Sequence, residues 1–455
     1  MKDQFGNDVN RPVGLRFWKR PVTNRRMFFR HAASAVGGYM LLPSLQQKAK
    51  AQSAMTPVGT AKNVIFVLMT GAPAHIDTFD LKVGPWTPSF MAPNTYNGMA
   101  FPQGLMPNLA NTIGDIALVR SIRAHATAHS LAQTWVQIGR NPIQGLNTIA
   151  PHIGSVVSLE LGDPNATLPP FISLNAASGP GNGFLPPSDA PFYVSPGGGG
   201  LSNTTHPDGQ PAYNRRYGLM TQLDADMIAN EPLGDGPAEL EVFRSKANAM
   251  MYNPAISTIF TFDQPTKNTY GNNSFGNACI TARNLLRANN GARFIQISFG
   301  SWDHHGNIYS PNTNLQLMSK QFDAGIAALI QDLKNDGTFA NTMIVAFGEF
   351  GRTVGALNQN AGRDHHVQQS AMFAGAQIQG GRAIGVTNPA GDDVTDPGWS
   401  QERYIWPEDI EATIYSALGI DWTKVIHGPN LGVGFFYVPQ LDPIQYYPVN
   451  ELWGS

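Results

Sequence analysis

The chain has 455 residues, of which 42% are apolar, 10% aromatic and 14% charged, with a formal net charge of -2. Ample apolar surface without a glycine period excludes a disordered or collagen-like chain, and the length excludes a peptide-sized module. Forty-seven glycines and 34 prolines predict long ordered loops around the core.

The N-terminal text reads as an address. Asn24 to Arg30 (NRRMFFR) carries an arginine pair, a weakly apolar stretch runs from Ala32 to Leu45, and Ala49, Lys50 and Ala51 form a small-x-small site. That order predicts a twin-arginine signal over 1–51, hence the twin-arginine export machinery as a partner and a periplasmic or extracellular destination. Ten of the 30 Lys and Arg and two of the 32 Asp and Glu lie there, leaving 20 basic against 30 acidic residues. A mature chain about 10 charges negative argues against nucleic acid as a partner. Cys279 is the single cysteine, so no intrachain disulfide forms. No later stretch reaches the ~18 apolar residues of a membrane helix, so none is expected in the mature chain.

In chain order, the strongest buried-strand patterns are Asn63 to Thr70, Arg293 to Phe299 and Thr342 to Phe347, with shorter ones at Ile116 to Val119, Phe171 to Leu174 and Ala371 to Ala374. Helical patterns cover Asn277 to Ala288 and Lys320 to Asn335. Continuous apolar strands alternating with amphipathic helices predict an α/β sandwich, a mostly parallel sheet with helices on both faces. A Gly/Pro/Ser-rich excursion spans Ala176 to Asp208 and a polar helical block follows from about Pro211 to Asn253, a possible cap or insertion at about 176–260 of a domain over 52–455. The glycines near Gly380, Gly381 and Gly385 lack a dinucleotide-binding context and read as a turn.

In open α/β sheets ligands bind beyond the carboxyl ends of the strands. There the chain places Asp77 in GAPAHIDTFD, Asp303 and His305 in WDHHGN, Glu349 and Arg352 in GEFGRT, and Asp364 and His365 in GRDHH. Bare carboxylates repel when they converge, and a divalent cation removes the conflict; imidazole accompanies carboxylate at zinc, manganese or iron sites, and calcium is a less ready fit. These residues are therefore candidate metal ligands. Asp80, His75 and His304 read as structural. A second cluster, His125 to Ser130, lacks the glutamate of a zinc-protease H-E-x-x-H motif. A helix beginning near Thr127 or Ser130 would attract an oxyanion, making Thr127 and Ser130 candidate nucleophiles and His129 a further catalytic candidate. No G-x-S-x-G elbow exists.

The succession of twin-arginine signal, AHIDTFD, SWDHHGN, GEFGRT, GRDHH and WPEDI resembles a large group of exported bacterial proteins known only as a domain of unknown function. That group is similar to sulfatases and stands with the alkaline phosphatase superfamily; the likeness runs from about Asn63 to Ile420. It implies an alkaline phosphatase/sulfatase-like sandwich and a metal-dependent hydrolase of phosphate or sulfate esters, small or polymeric. Metal ligands would fall on Asp77, Asp303, His305, Glu349 and His365, the nucleophile within His125 to Ser130, and charge neutralisation on Arg352 or Arg363. Two departures stand out: Phe350 follows the strand-end acid where the phosphatases have histidine, and the sulfatase C/S-x-P-x-R motif is missing. They leave a second expectation, a non-catalytic envelope binding or assembly protein on the same scaffold.

Overall fold

The computed structural model describes residues 56–142, 149–230, 236–427, 434–441 and 444–454. The export signal expected over 1–51 lies outside them.

Three fully or almost fully buried strands form the middle of the sheet: β1 (Asn63–Leu68), β5 (Phe294–Ser298) and β6 (Thr342–Phe347). Around them lie β2 (Ile116–Arg123), β3 (Phe171–Leu174), β4 (Phe192–Val194), β9 (Gln368–Gly375) and β10 (Arg382–Ile384). The eight strands follow the order β10-β2-β9-β6-β1-β5-β3-β4. Every neighbouring pair is parallel except those of β9, which runs against both β2 and β6. The sheet is thus mostly parallel, as its unbroken apolar runs predict.

Alternate residues of each strand point to opposite faces. Ile65, Val67, Ile295, Ile297 and Ile344 join one core cluster with Cys279, Phe322 and Ile326, which belong to helices α5 (Ser274–Ala288) and α6 (Asn314–Asn335). On the other face Phe66 packs against Phe294 and Phe347, with ring centroids 6.1 and 5.5 Å away. Helix α2 (Ile153–Leu161) closes over this face, and a Cβ on Gly154 would stand 2.6 Å from the Phe294 ring, so only glycine allows that approach. Each such buried Phe or Ile contributes about 1.5–3 kcal/mol, which is how a chain with a single cysteine holds together. Helix α5 starts where the Asn273 side chain accepts the Gly276 N–H, three residues before the run at Asn277 that reads as helical.

Two differences from the sequence pattern matter. The Gly/Pro-rich excursion is not wholly loop: Phe192–Val194 within it pairs in parallel with β3 and forms the sheet edge. Strand β2 runs on to Arg123 because β9 carries its partner through a register shift between Gln369 and Ala371. The polar block becomes two helices, α3 (Gly209–Asn230) and α4 (Gly236–Met250), neither with a buried residue. No helix among the described residues is long and apolar enough to cross a membrane.

Candidate metal centre

The parallel strands set the address of the site. Asp303 and His305 follow β5, and Glu349 follows β6. Because β9 is antiparallel, the residues at the same sheet edge are those that precede it, so His365, in the short strand β8 (His365–His366), arrives from the opposite chain direction. Strand β8 pairs with β7 (Gly351–Arg352), with His365 opposite Arg352. Helix α1 (His129–Ile138), entered from β2, supplies His129 as its first residue.

His125 holds α1 in place without reaching the cluster. Its ring is stacked between those of Trp135 and Trp406, at 4.5 and 4.3 Å, and its Nε2 meets Glu408 Oε2 at 2.9 Å. Trp135 Nε1 donates to the other oxygen of Glu408 at 2.7 Å. Glu408 belongs to helix α7 (Pro407–Ala417), in which every residue is buried. The two histidines four residues apart therefore have separate duties: one anchors the helix and the other faces the sheet edge.

His129, Asp303, His305 and His365 each offer one ligand atom within 4.8 Å of the others. The hydrogen bonds on the far side of each ring decide what it presents. His305 Nδ1 meets Asp364 Oδ1 at 2.9 Å, His365 Nδ1 meets the Thr127 carbonyl at 2.6 Å, and His129 Nδ1 meets Glu349 Oε1 at 2.7 Å. Only an N–H satisfies such oxygens, so each Nδ1 is the donor, and in the neutral ring it is Nε2 that carries the lone pair. The His305 and His365 Nε2 atoms stand 2.9 Å apart. Asp303 Oδ1 lies 3.1 and 3.9 Å from them, and Asp303 Oδ2 lies 3.4 Å from His129 Nε2.

Two lone pairs at that separation repel unless a proton or a metal ion lies between them. Burial, reinforced by the nearby Arg352 charge, holds the His365 imidazole below its ordinary pKa and so disfavours the proton. His129 Nε2 and Glu349 Oε2 are buried without a hydrogen-bond partner. Three braced imidazoles with one carboxylate make a donor set that could hold a cation, and the orphaned nitrogen fits that use. Burial would raise the Asp303 carboxyl, but the Arg352 hydrogen bond and charge more than reverse this, and it lies below its usual value.

The other residues singled out in the sequence occupy different places. Asp77 is not among the ligand atoms of the group: its Oδ2 receives Arg363 Nε at 2.7 Å and its Oδ1 receives the hydroxyl of half-buried Tyr309 at 2.8 Å, with Asp77 and Arg363 both buried. The Arg363 guanidinium balances this carboxylate. Asp364 is a brace on His305, also accepting Asn358 Nδ2 at 3.1 Å. Glu349 is fully buried behind His129, where its Oε1 also accepts the Gly71 N–H and Gln133 Nε2, both at 2.9 Å. Gly71 can reach it because its φ is +98° and it has no Cβ; one added there would lie 2.6 Å from the Asp303 nitrogen.

Arg352, expected to neutralise charge on a substrate, is enclosed and has every N–H committed. It donates to the carbonyls of Gly71, Ala72 (2.9 Å) and Arg363 (3.1 Å), to Asp303 Oδ1 (2.6 Å) and towards His305 Nε2 (3.3 Å). Arg363 is likewise saturated by Asp77, Tyr309 and the carbonyls of Thr353 and Gly355. Both guanidiniums stitch loops together. The hydroxyls of Thr127 and Ser130 make no hydrogen bond among the described residues. Thr127 is half-buried and Ser130 exposed, on either side of His129. Sequence reasoning missed Gln133 and Tyr309; Gln133 lies one helical turn beyond His129, the spacing that puts two side chains on one face.

Asp303 and His305 are 46% and 44% exposed, so the group opens to solvent on their side. There a depression of about 640 Å³ is lined by His305, Asn307, Gln359 and Asn360, a mostly amide-bearing wall.

Among solved structures the chain is similar to a protein of the alkaline phosphatase superfamily from Vibrio parahaemolyticus, at 13% identity over 80% of this chain and 69% of that one, with a TM-score of 0.40. It is also similar to the PsFucS1 sulfatase from Pseudoalteromonas sp., at 11% identity over 87% and 72%, with a TM-score of 0.38. The alkaline phosphatase from the Antarctic bacterium TAB5 shows 17% identity over 72% and 95%, with a TM-score of 0.34. No curated protein matches the sequence. The match that covers most of the chain, residues 61–432, is to a family described as proteins of unknown function, DUF1501, and the chain belongs to that family.

Proposed function

We propose that this protein is an exported, metal-dependent hydrolase of phosphate or sulfate esters, with a single divalent ion held by His129, Asp303, His305 and His365. The observation that carries the proposal is the convergence of three Nε2 lone pairs on one carboxylate, each ring fixed from behind by an oxygen acceptor. A divalent ion bound there would polarise an ester oxygen and draw charge from the phosphorus or sulfur centre.

The chain's own groups would do the rest. Helix α1 begins at His129 with no side-chain cap, leaving first-turn amides and the positive end of its dipole for an anionic group. Thr127 is the first candidate for the attacking hydroxyl and Ser130 the second, with water as the remaining option. Arg352 acts as a positioning residue through Asp303 and His305. The amide-lined depression beside His305 suits a hydroxyl-rich, polar ester. Three imidazoles to one carboxylate favour zinc, iron or manganese over calcium, which takes oxygen ligands.

The test is metal analysis of chelator-treated and reconstituted protein, followed by assays on aryl phosphates, phosphodiesters and aryl sulfates. The expected result is one equivalent of zinc or manganese and ion-dependent turnover of one ester class. A protein that binds its ion tightly but turns over none of them would favour the second reading, a binding or assembly protein. That reading is supported by the two internally saturated arginines and by hydroxyls with no base within hydrogen-bond reach.

A further inference from the structure

Helices α3 and α4 lie open to solvent over much of their length. Over 22 and 15 residues they bury no side chain, and they expose Leu219 (58%), Leu223 (70%), Leu240 (47%) and Phe243 (44%). In proteins most helix stability comes from packing of one face against other elements. They meet each other through polar contacts: Tyr217 donates to Glu241 at 3.1 Å, and Arg244 pairs with Asp224. At 100° per residue, Tyr217 and Asp224 share one side of α3. Arg215, Leu219, Leu223 and Asp226 follow one another at helical spacing on the opposite side.

That outer stripe is its own complement. Leu219 and Leu223 form its centre, Arg215 lies one turn before them and Asp226 about one turn after. Neither Arg215 nor Asp226 has a side-chain partner among the described residues. If two copies of α3 are laid antiparallel about a two-fold axis midway between Leu219 and Leu223, Leu219 of one opposes Leu223 of the other. Arg215 then falls within one residue of the partner's acid at the opposite end. A closed two-fold contact requires this kind of self-matching surface.

We infer that the outer face of α3 is a dimer interface, with a second copy of this chain as its occupant. Two features select that occupant over a membrane. The helix balances two arginines with two aspartates, whereas helices that lie on anionic lipid carry a Lys- and Arg-rich polar face. The charges are also segregated end to end, which favours an antiparallel partner of the same sequence.

The experiment is light scattering with size exclusion, and analytical sedimentation, on the full exported chain and its variants, with circular dichroism confirming the fold. Wild type is expected to be a concentration-dependent dimer. Leu223→Glu should weaken it by more than about a hundredfold, because the two-fold counts each substitution twice. Arg215→Glu and Asp226→Arg should each weaken it roughly tenfold, and the double variant should recover most of the loss, since the swapped charges pair again. A protein that stays monomeric, a dimer indifferent to Leu223→Glu, or charge swaps without mutual rescue would each overturn the inference. So would a monomer that cosediments with anionic phospholipid vesicles.

Discussion

Asp303→Asn keeps the side-chain volume and the oxygen that accepts Arg352, and removes the one carboxylate among the four converging groups. The ligand atoms around Asp303 lie 3.1 to 3.9 Å from its oxygens. Two unit charges about 4 Å apart interact by about 4 kcal/mol at an effective dielectric near 20. Asp303 is nearly half exposed and already paired with Arg352, so solvent and the guanidinium screen part of this. A loss of about 3 kcal/mol, roughly a hundredfold in Kd for zinc or manganese, is expected. Asp364→Asn removes a brace and leaves the ligands, which should cost between ten- and a hundredfold, roughly. Competition titration against a chromophoric chelator, on chelator-treated protein, measures both. Wild-type affinity in Asp303→Asn, or a larger loss in Asp364→Asn than in Asp303→Asn, would refute the assignment of inner and outer positions.

Asp77→Asn and Arg363→Met each leave a buried partner uncompensated and should destabilise the fold by about 3–5 kcal/mol in denaturant titration, while the ion still binds at one equivalent. A lost ion in a stable Asp77→Asn protein would restore Asp77 as a ligand. His152 caps α2 by accepting the Gly154 N–H on Nδ1, and burial depresses its pKa from 6.5 to about 3. Its folded value lies below its unfolded one, so the unfolded chain takes up the extra proton; the stabilisation is complete above pH 6.5 and is lost as acid approaches 3. Relative to His152→Asn, wild type should therefore lose about 2 kcal/mol between pH 7 and 5, and parallel pH profiles for the two proteins would contradict this. Thr127→Ala keeps the carbonyl that braces His365, so ion affinity should hold while ester turnover falls by two orders of magnitude or more, roughly. Unchanged turnover would pass the attacking role to Ser130 or water.

Much of the architecture can be read from composition and pattern. The runs at Asn63, Arg293 and Thr342 are long, apolar and flanked by glycine or polar residues, and they are the central strands. Asp303, His305 and His365 follow from one rule about where ligands bind in parallel sheets. Asp77 shows what that rule omits. A carboxylate after a strand looks the same whether a metal ion or a guanidinium answers it, and the partner seen here is Arg363, 286 positions away. Asp364 and His365 are adjacent, and successive side chains in extended backbone diverge, so both do not face one point. His365 turns towards the cluster and Asp364 supports His305 from outside. His129 stands out in the sequence only through its spacing from His125, a pattern that does not distinguish an anchoring ring from a liganding one.

The antiparallel strand β9 explains why the site is built from such scattered text. In an all-parallel sheet every group at this edge would follow its strand, and each would be approached from the same direction. By reversing one strand, the fold lets the segment 362–366 enter the edge from outside, pair Arg352 with His365 in β7 and β8, and bring Arg363 down onto Asp77. The same turn that delivers one imidazole to the cluster thereby neutralises the nearest spare carboxylate with a guanidinium. Of the four acids at this edge, Glu349 and Asp364 orient histidines and Asp77 holds a loop, which leaves Asp303 alone to face the three nitrogens. Counting acids along the chain therefore overstates the negative charge of the site and understates its imidazole character. For the proposed centre, that difference favours a borderline ion over a hard one, which prefers an oxygen cage.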